Sequence, residues 1–187
     1  MELCVRNLSK SYDGRAVLEN VSFTAPVGLT RIAGNSGIGK TTLLRILLGL
    51  ERADGGEVAP KNLRWAAVFQ EDRLLEGLDA AGNLRFVLGA AYDDSQAKAL
   101  LGALGLGDVG GKKVCDYSGG MKRRLALARA LLAPCDALAL DEPFTGLDRA
   151  SRDAALRAVL RAAEKKIVLL AAHETLALPA HCGEVKL

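Results

Sequence analysis

Polarity alternates along "LCVRNLS" (3–9) and along "AVLENVSFTA" (16–25), and Asp13-Gly14 lies between the two runs. That pattern predicts two strands joined by a tight turn, an antiparallel edge on a larger sheet. "GLTRIA" (28–33) predicts a short strand that runs into a glycine-rich loop. After the loop the period lengthens: Leu43, Leu44, Leu47 and Leu48 share one helical face, with Gly49 near the end. A turn at Asp54-Gly55-Gly56 precedes "LRWAAVFQ" (63–70), an apolar run with the look of a buried strand.

From 71 to about 133 the chain is rich in Ala, Leu and Gly and poor in β-branched residues, which predicts a helical lobe inserted between strands. Within it, Asp94-Ser95 supplies a cap for a helix through Leu104, and Gly105-Leu106-Gly107 stops it. Strand character returns at "ALALDEP" (137–143). A helix is expected from about Arg149 to Lys165, and "KKIVLLAAH" (165–173) reads as the last strong strand. Strands alternating with helices imply an α/β fold with a mainly parallel sheet covered on both faces. The expected organisation is one domain over 1–187, with a core from 1–70 and 134–187 and the helical lobe between them.

The 187 residues suffice for a sizeable core, and 50% hydrophobic with 25% charged residues is ordinary for a soluble globular chain. A net charge of +3, spread along the chain apart from Lys122, Arg123 and Arg124, is too mild to argue for nucleic acid. The Lys122–Arg124 run itself reads as a solvated helix face. Cys4, Cys115, Cys135 and Cys182 lie far apart without a C-x-x-C pair, so neither a zinc site nor a disulfide framework is expected, and a reducing cytosol fits best. The opening "MELCVRNLSK" lacks the apolar core of a secretion signal, and no apolar run approaches the ~20 residues that span a bilayer.

Gly34-Asn35-Ser36-Gly37-Ile38-Gly39-Lys40-Thr41 matches G-x-x-x-x-G-K-[ST], with a strand before it and a helix after. The match resembles the phosphate loop of the P-loop NTPases, and that fold is expected here. Its glycines let backbone amides curl around phosphate oxygens, Lys40 offers a point charge, and Thr41 offers a hydroxyl to Mg²⁺. Asp141 closes the strand "ALAL", where a parallel strand delivers a carboxylate beside that loop for the metal and its waters. Glu142 follows it as a candidate base for an attacking water. A second anion site suggests itself at Ser118-Gly119-Gly120, directly ahead of a helix.

Taken together, these motifs resemble the ATP-binding cassette (ABC) family, the ATPase subunits that power transporters. "YSGGM" (117–121) resembles that family's signature sequence, and Gln70 after "AAVF" its Q-loop. "TGLD" (145–148) resembles its D-loop and His173 after "IVLLAA" its switch histidine, while Tyr12 resembles the aromatic that stacks on adenine. "DEPFTGLD" is similar to a form common in nitrate, sulfonate and taurine-type import ATPases.

The resemblance implies ATP and Mg²⁺ as ligands. The nucleotide would be held by Tyr12, Gly34, Asn35, Ser36, Gly37, Ile38, Gly39, Lys40, Thr41 and Thr42 of one chain and by Ser118, Gly119 and Gly120 of a second copy. Thr41, Gln70 and Asp141 would serve the metal, Glu142, His173 and Gln70 the hydrolysis, and Asp148 would tie the two sites together. A permease on a separate chain, docked near Gln70 and the helical lobe, would place the protein at the inner face of the cell membrane. Met121 and Tyr117 depart from the usual glutamine and leucine of the signature. The stretch from Lys40 to Gln70 is short, which suggests a trimmed β-hairpin, and with Leu187 soon after His173 the accessory C-terminal domain of some importers is not expected. Two competing readings stay open: an ABC ATPase unconnected with transport, and a P-loop kinase of a small metabolite.

Overall fold

The computed structural model describes residues 1–172, 176 and 178–187. Strands β1 (Glu2–Tyr12) and β2 (Arg15–Pro26) form an antiparallel pair. Asp13 and Gly14 both take positive φ, 50° and 76°, as the two central residues of a type I′ turn must. A third strand, β4 (Gly55–Ala59), lies antiparallel on the far side of β1 and completes a sheet of order β2-β1-β4. The segment between the phosphate loop and Gln70 thus gives this sheet one strand instead of a trimmed hairpin, and a strand begins at Gly55 where only a turn is expected.

The second sheet has the order β5-β6-β7-β3-β8, from β3 (Gly28–Ala33), β5 (Trp65–Val68), β6 (Ala137–Asp141), β7 (Ile167–Ala171) and β8 (Gly183–Lys186). All its pairings are parallel. β6 and β7 are buried at every position, as strands covered on both faces must be. The antiparallel strands expected at the edge of this sheet are gathered into a sheet of their own.

Helices cover both faces. On one, α1 (Lys40–Leu47) packs Leu43, Leu44, Ile46 and Leu47 into a cluster with Ile32, Ala139 and Leu169 and with Leu3, Val5 and Leu8 of β1. On the other, α2 (Ala80–Leu88), α3 (Asp94–Ala103), α4 (Gly119–Leu132) and α5 (Arg149–Ala163) share a cluster that includes Leu84, Leu101, Leu125, Leu138, Phe144, Val159 and Leu170. Residues 71–79 precede α2 without helical structure, and Asp93, one residue earlier than expected, caps α3 by accepting from the Gln96 N–H at 2.8 Å.

Sheet register decides where chemistry can sit. Ile32 pairs with Ala171, Ala171 with Asp141, and Val68 with Leu140, so β3, β5, β6 and β7 end level with one another. The loops after these strands converge on the carboxyl edge, the place where open parallel sheets bind ligands.

Candidate active site

The loop after β3 is shaped by what its glycines permit. Gly39 sits at φ 111°, and a Cβ there would lie 2.9 Å from Leu18 Cδ2, Val17 Cγ1 and the Val17 carbonyl; at Gly34 it would lie 2.8 Å from Ile38 Cγ2. Gly39 caps α1 without a side-chain hydrogen bond, so the first-turn amides face the loop together with the positive end of the helix. Lys40 is buried and donates to the carbonyls of Gly34 at 2.7 Å and Asn35 at 2.9 Å, which holds the loop curled. Thr41 Oγ1 donates to Asp141 Oδ2 at 2.7 Å, joining the start of α1 to the end of β6 across 100 residues of sequence.

A cleft of about 280 Å³ opens over this loop, lined by Ser36, Gly37, Gly39, Lys40, Thr41 and Thr42, by Gln70, Asp141 and Glu142, and on its outer side by Tyr12 and Val17. The Tyr12 ring is exposed, with Lys10 Nζ 5.1 Å from its centroid, and presents a flat apolar face at the cleft mouth. The paired hydroxyl and carboxylate of Thr41 and Asp141 are hard oxygen donors of the kind Mg²⁺ takes. Among the described residues no group of three or more His, Cys, Asp or Glu side chains could hold a metal.

Glu142 takes a left-handed conformation, φ 51°, uncommon for a residue with a side chain. Its N–H still donates to the Ala171 carbonyl at 2.8 Å, extending the β6–β7 ladder by one bond before the chain turns away. Gln70 follows β5 and lines the same cleft. His173, two residues past the end of β7, lies outside the described residues.

The Ser118-Gly119-Gly120 stretch opens α4. The Ser118 hydroxyl accepts from the Met121 N–H at 3.3 Å, and Ser118 and Gly119 are exposed. Gly119 and Gly120 line a second cleft, of about 600 Å³, together with Gln70, Asp72, Arg123, Glu142, Thr145 and Gly146. Gln70 and Glu142 belong to both clefts. None of the phosphate-loop residues lines the second cleft, and no signature residue lines the first. Asp148 caps α5, accepting from the Ser151 N–H at 2.9 Å and the Ser151 hydroxyl at 2.8 Å, bonds that hold its carboxyl below the ordinary value.

The basic run of α4 is not the solvated face expected of it. Arg123 is only 4% exposed and donates to the carbonyls of Phe69, Gln70, Asp141 and Glu142 and to Asp72. Lys122 pairs with Glu76 at 2.8 Å, and Arg129 donates to the Asp72 and Arg73 carbonyls. A signal was present in the sequence. Arg123 stands at helical spacing from Ala126, Leu127 and Ala130, all buried, and a charge on a buried stripe requires partners.

This arrangement agrees with the comparisons. A family profile described as ABC transporter matches residues 18–145. The chain belongs to this family. It is an ABC ATPase, and its relatives include import proteins. It is 38% identical over 180 residues to the aliphatic sulfonates import ATP-binding protein SsuB 1 of Paracoccus denitrificans, covering 92% of this chain and 73% of that one. A protein of the same name from Rhizobium johnstonii is 39% identical, covering 80% and 59%. The SsuB protein of Corynebacterium glutamicum is 37% identical, covering 95% and 77%. The chain therefore spans between somewhat over half and about three-quarters of the length of these three relatives.

Among solved structures, a Pyrococcus furiosus chain classed with ABC transporter ATP-binding proteins superposes with a TM-score of 0.87 at 26% identity, covering 100% of this chain and 97% of that one. A bacterial Atm1-family ABC exporter with ATP bound shares the fold, with a TM-score of 0.79 over 92% of this ABC ATPase and 34% of the exporter chain. Among the described residues no helix of this ABC ATPase is long and apolar enough to cross a membrane.

Proposed function

We propose that the protein is the ATP-hydrolysing subunit of an ABC importer, that two copies close around MgATP, and that their closure drives a permease on a separate chain. The observation that carries this reading is the division of one reaction centre between two clefts. The phosphate loop and the signature glycines open onto different clefts, and Gln70 and Glu142 stand where the two meet. A triphosphate held by Lys40 and the α1 amides is complete only when a second copy brings its own Ser118, Gly119 and Gly120 over the γ-phosphate.

Each residue then has a task. Tyr12 stacks on the adenine, and residues 34–42 hold the phosphates. Thr41 and Asp141, with Gln70 on the water side, would hold Mg²⁺, which when bound neutralises charge on the phosphates. Glu142 accepts the proton of the attacking water as the new bond to the γ-phosphorus forms and the bond to the ADP oxygen breaks. His173 contacts the γ-phosphate, and Asp148 meets the partner's site at the closed interface. ATP thereby belongs to the interface, so binding favours closure and hydrolysis removes the contacts that sustain it.

The permease reading is supported by large apolar side chains left exposed around the start and along the length of α2. Leu78, Phe86 and Val87 are 39%, 72% and 50% exposed on and before α2, with Leu75 exposed nearby. A docked permease would set the protein at the inner face of the membrane. The names of the relatives make aliphatic sulfonates the first cargo class to assay.

Substituting Glu142→Gln tests the catalytic assignment. ATP binding should persist, release of free phosphate should slow by about 10²-fold or more, and an ATP-bound dimer should accumulate. Turnover at the parental rate would remove Glu142 from the role of base. A phosphorylated small molecule in place of free phosphate would turn the reading toward a kinase.

A further inference from the structure

We propose that Arg123 is a positioning residue for hydrolysis, fixing the main chain of Glu142 and Gln70 to the helix that carries the signature glycines. The inference rests on the roles given above to Glu142 and Gln70.

A guanidinium taken out of water is costly unless its donors are met, and a well-packed apolar residue of similar volume often stabilises a fold as well or better. Arg123 is nevertheless buried, and four of its five acceptors are main-chain carbonyls; the carboxylate of Asp72, at 3.0 Å, is the exception. Its two terminal nitrogens divide the work. Nη1 serves Phe69, Gln70 and Asp72 in the loop after β5, and Nη2 serves Asp141, at 2.9 Å, and Glu142 at the end of β6. A planar fork with fixed donor directions therefore sets the distance between two loops.

The Glu142 carbonyl is the significant acceptor. A non-glycine residue at φ 51° persists only where its surroundings hold it. The Ala171 carbonyl holds the Glu142 N–H, and Arg123 holds its C=O. Together they fix the main chain from which the carboxylate projects. Arg123 lies in the second turn of α4, whose first turn is the signature, so one side chain connects the surface that meets a second copy to the group that takes the proton. Lys122 and Arg129 also fasten α4 to residues 72–76, but the contacts they make there do not extend to the end of β6.

Two substitutions separate positioning from charge and from folding. Arg123→Met removes every donor, whereas Arg123→Lys keeps the charge but replaces the fork with a point that cannot serve both loops. In the purified subunit, kcat should fall by about tenfold or more in both, while ATP affinity and KM stay within about twofold, because the phosphate loop is untouched. Retention of full kcat by either folded variant overturns the inference. So does a parallel loss of ATP affinity, which would mark Arg123 as structural only. Should Arg123→Met fail to fold, Arg123→Lys decides alone. Glu142→Gln, measured beside them, separates the two levels. Unchanged turnover in Glu142→Gln defeats the catalytic reading, whereas a stalled Glu142→Gln next to fully active Arg123 variants defeats only the role of Arg123.

Discussion

A phosphate loop works because its main chain goes where a side chain would obstruct it. Gly39 is the sharpest case, since three atoms of Val17 and Leu18 lie 2.9 Å from the position of an added Cβ and its φ of 111° already disfavours one. Gly39→Ala should therefore push the loop off β2 and spoil the cradle. ATP affinity, read by titration of a fluorescent nucleotide, should fall by more than about tenfold while the helical content of the protein persists. Gly119, with open space around it and an ordinary φ, is the control. Gly119→Ala should leave the nucleotide affinity of the monomer where it was, and an equal loss in both would mean that the cradle argument is wrong. The phosphate loop was legible in the sequence because its residues are contiguous and the backbone itself is the ligand. The helical spacing of Arg123 marks it as buried, but its partners were not legible, because four of the five are main-chain carbonyls 18 to 54 positions away, which leave no mark of residue type.

At the scale of elements, the buried parallel strands β6 and β7 were plain in the sequence as unbroken apolar runs, and α5 was close to its expected span. β4 and β8 were hidden. Each is an edge strand burying little, β8 through Val185 and β4 through half-buried Val58, and a single apolar position carries no period. The loop from 71 to 79 was also obscure, since buried Asn83, and not a local turn sequence, pins it by bonding to both main-chain groups of Leu75. How β5 meets β6 is set by a polar device at their entry. Asp136 accepts from the Arg64 N–H, Nε and Nη2 at 2.8–3.0 Å, and the Arg64 guanidinium first, then its amide, draws the Asp136 carboxyl down from 3.8 to about 2. A carboxyl depressed in the folded state stabilises the fold above its unfolded value and loses that contribution as pH falls through the folded one. Asp136→Asn should therefore lower the urea midpoint at neutral pH, and the gap to the parent should close between pH 3.8 and about 2. A gap of constant size down to pH 2 would show that the pair contributes nothing through its charge.

The whole molecule concentrates its chemistry on one edge. β3, β5, β6 and β7 end level, and the phosphate loop, Gln70, Asp141 and Glu142 follow from that register. The signature sits on a different surface. Ser118 and Gly119 are exposed at the start of α4, and Gly119 and Gly120 line a cleft that shares Gln70 and Glu142 with the nucleotide cleft. Exposed amides at a helix start attract an anion but cannot discriminate between one borne by the same chain and one borne by another. A bulky cation at Ser118 discriminates. Ser118→Arg removes a cap to the Met121 N–H, a loss of about 1 kcal/mol that a domain of this size tolerates. The new side chain would project from an exposed position into the space that the proposed second copy would occupy. In a Glu142→Gln background, where ATP-bound dimers should accumulate, Ser118→Arg should hold the protein monomeric by light scattering at saturating MgATP, with monomer ATP affinity unchanged. Persistence of the dimer would separate the signature from the interface. A fall in monomer affinity matching the loss of dimer would place Ser118 in the pocket of its own chain, and the two-copy reading would give way to a site completed within one polypeptide.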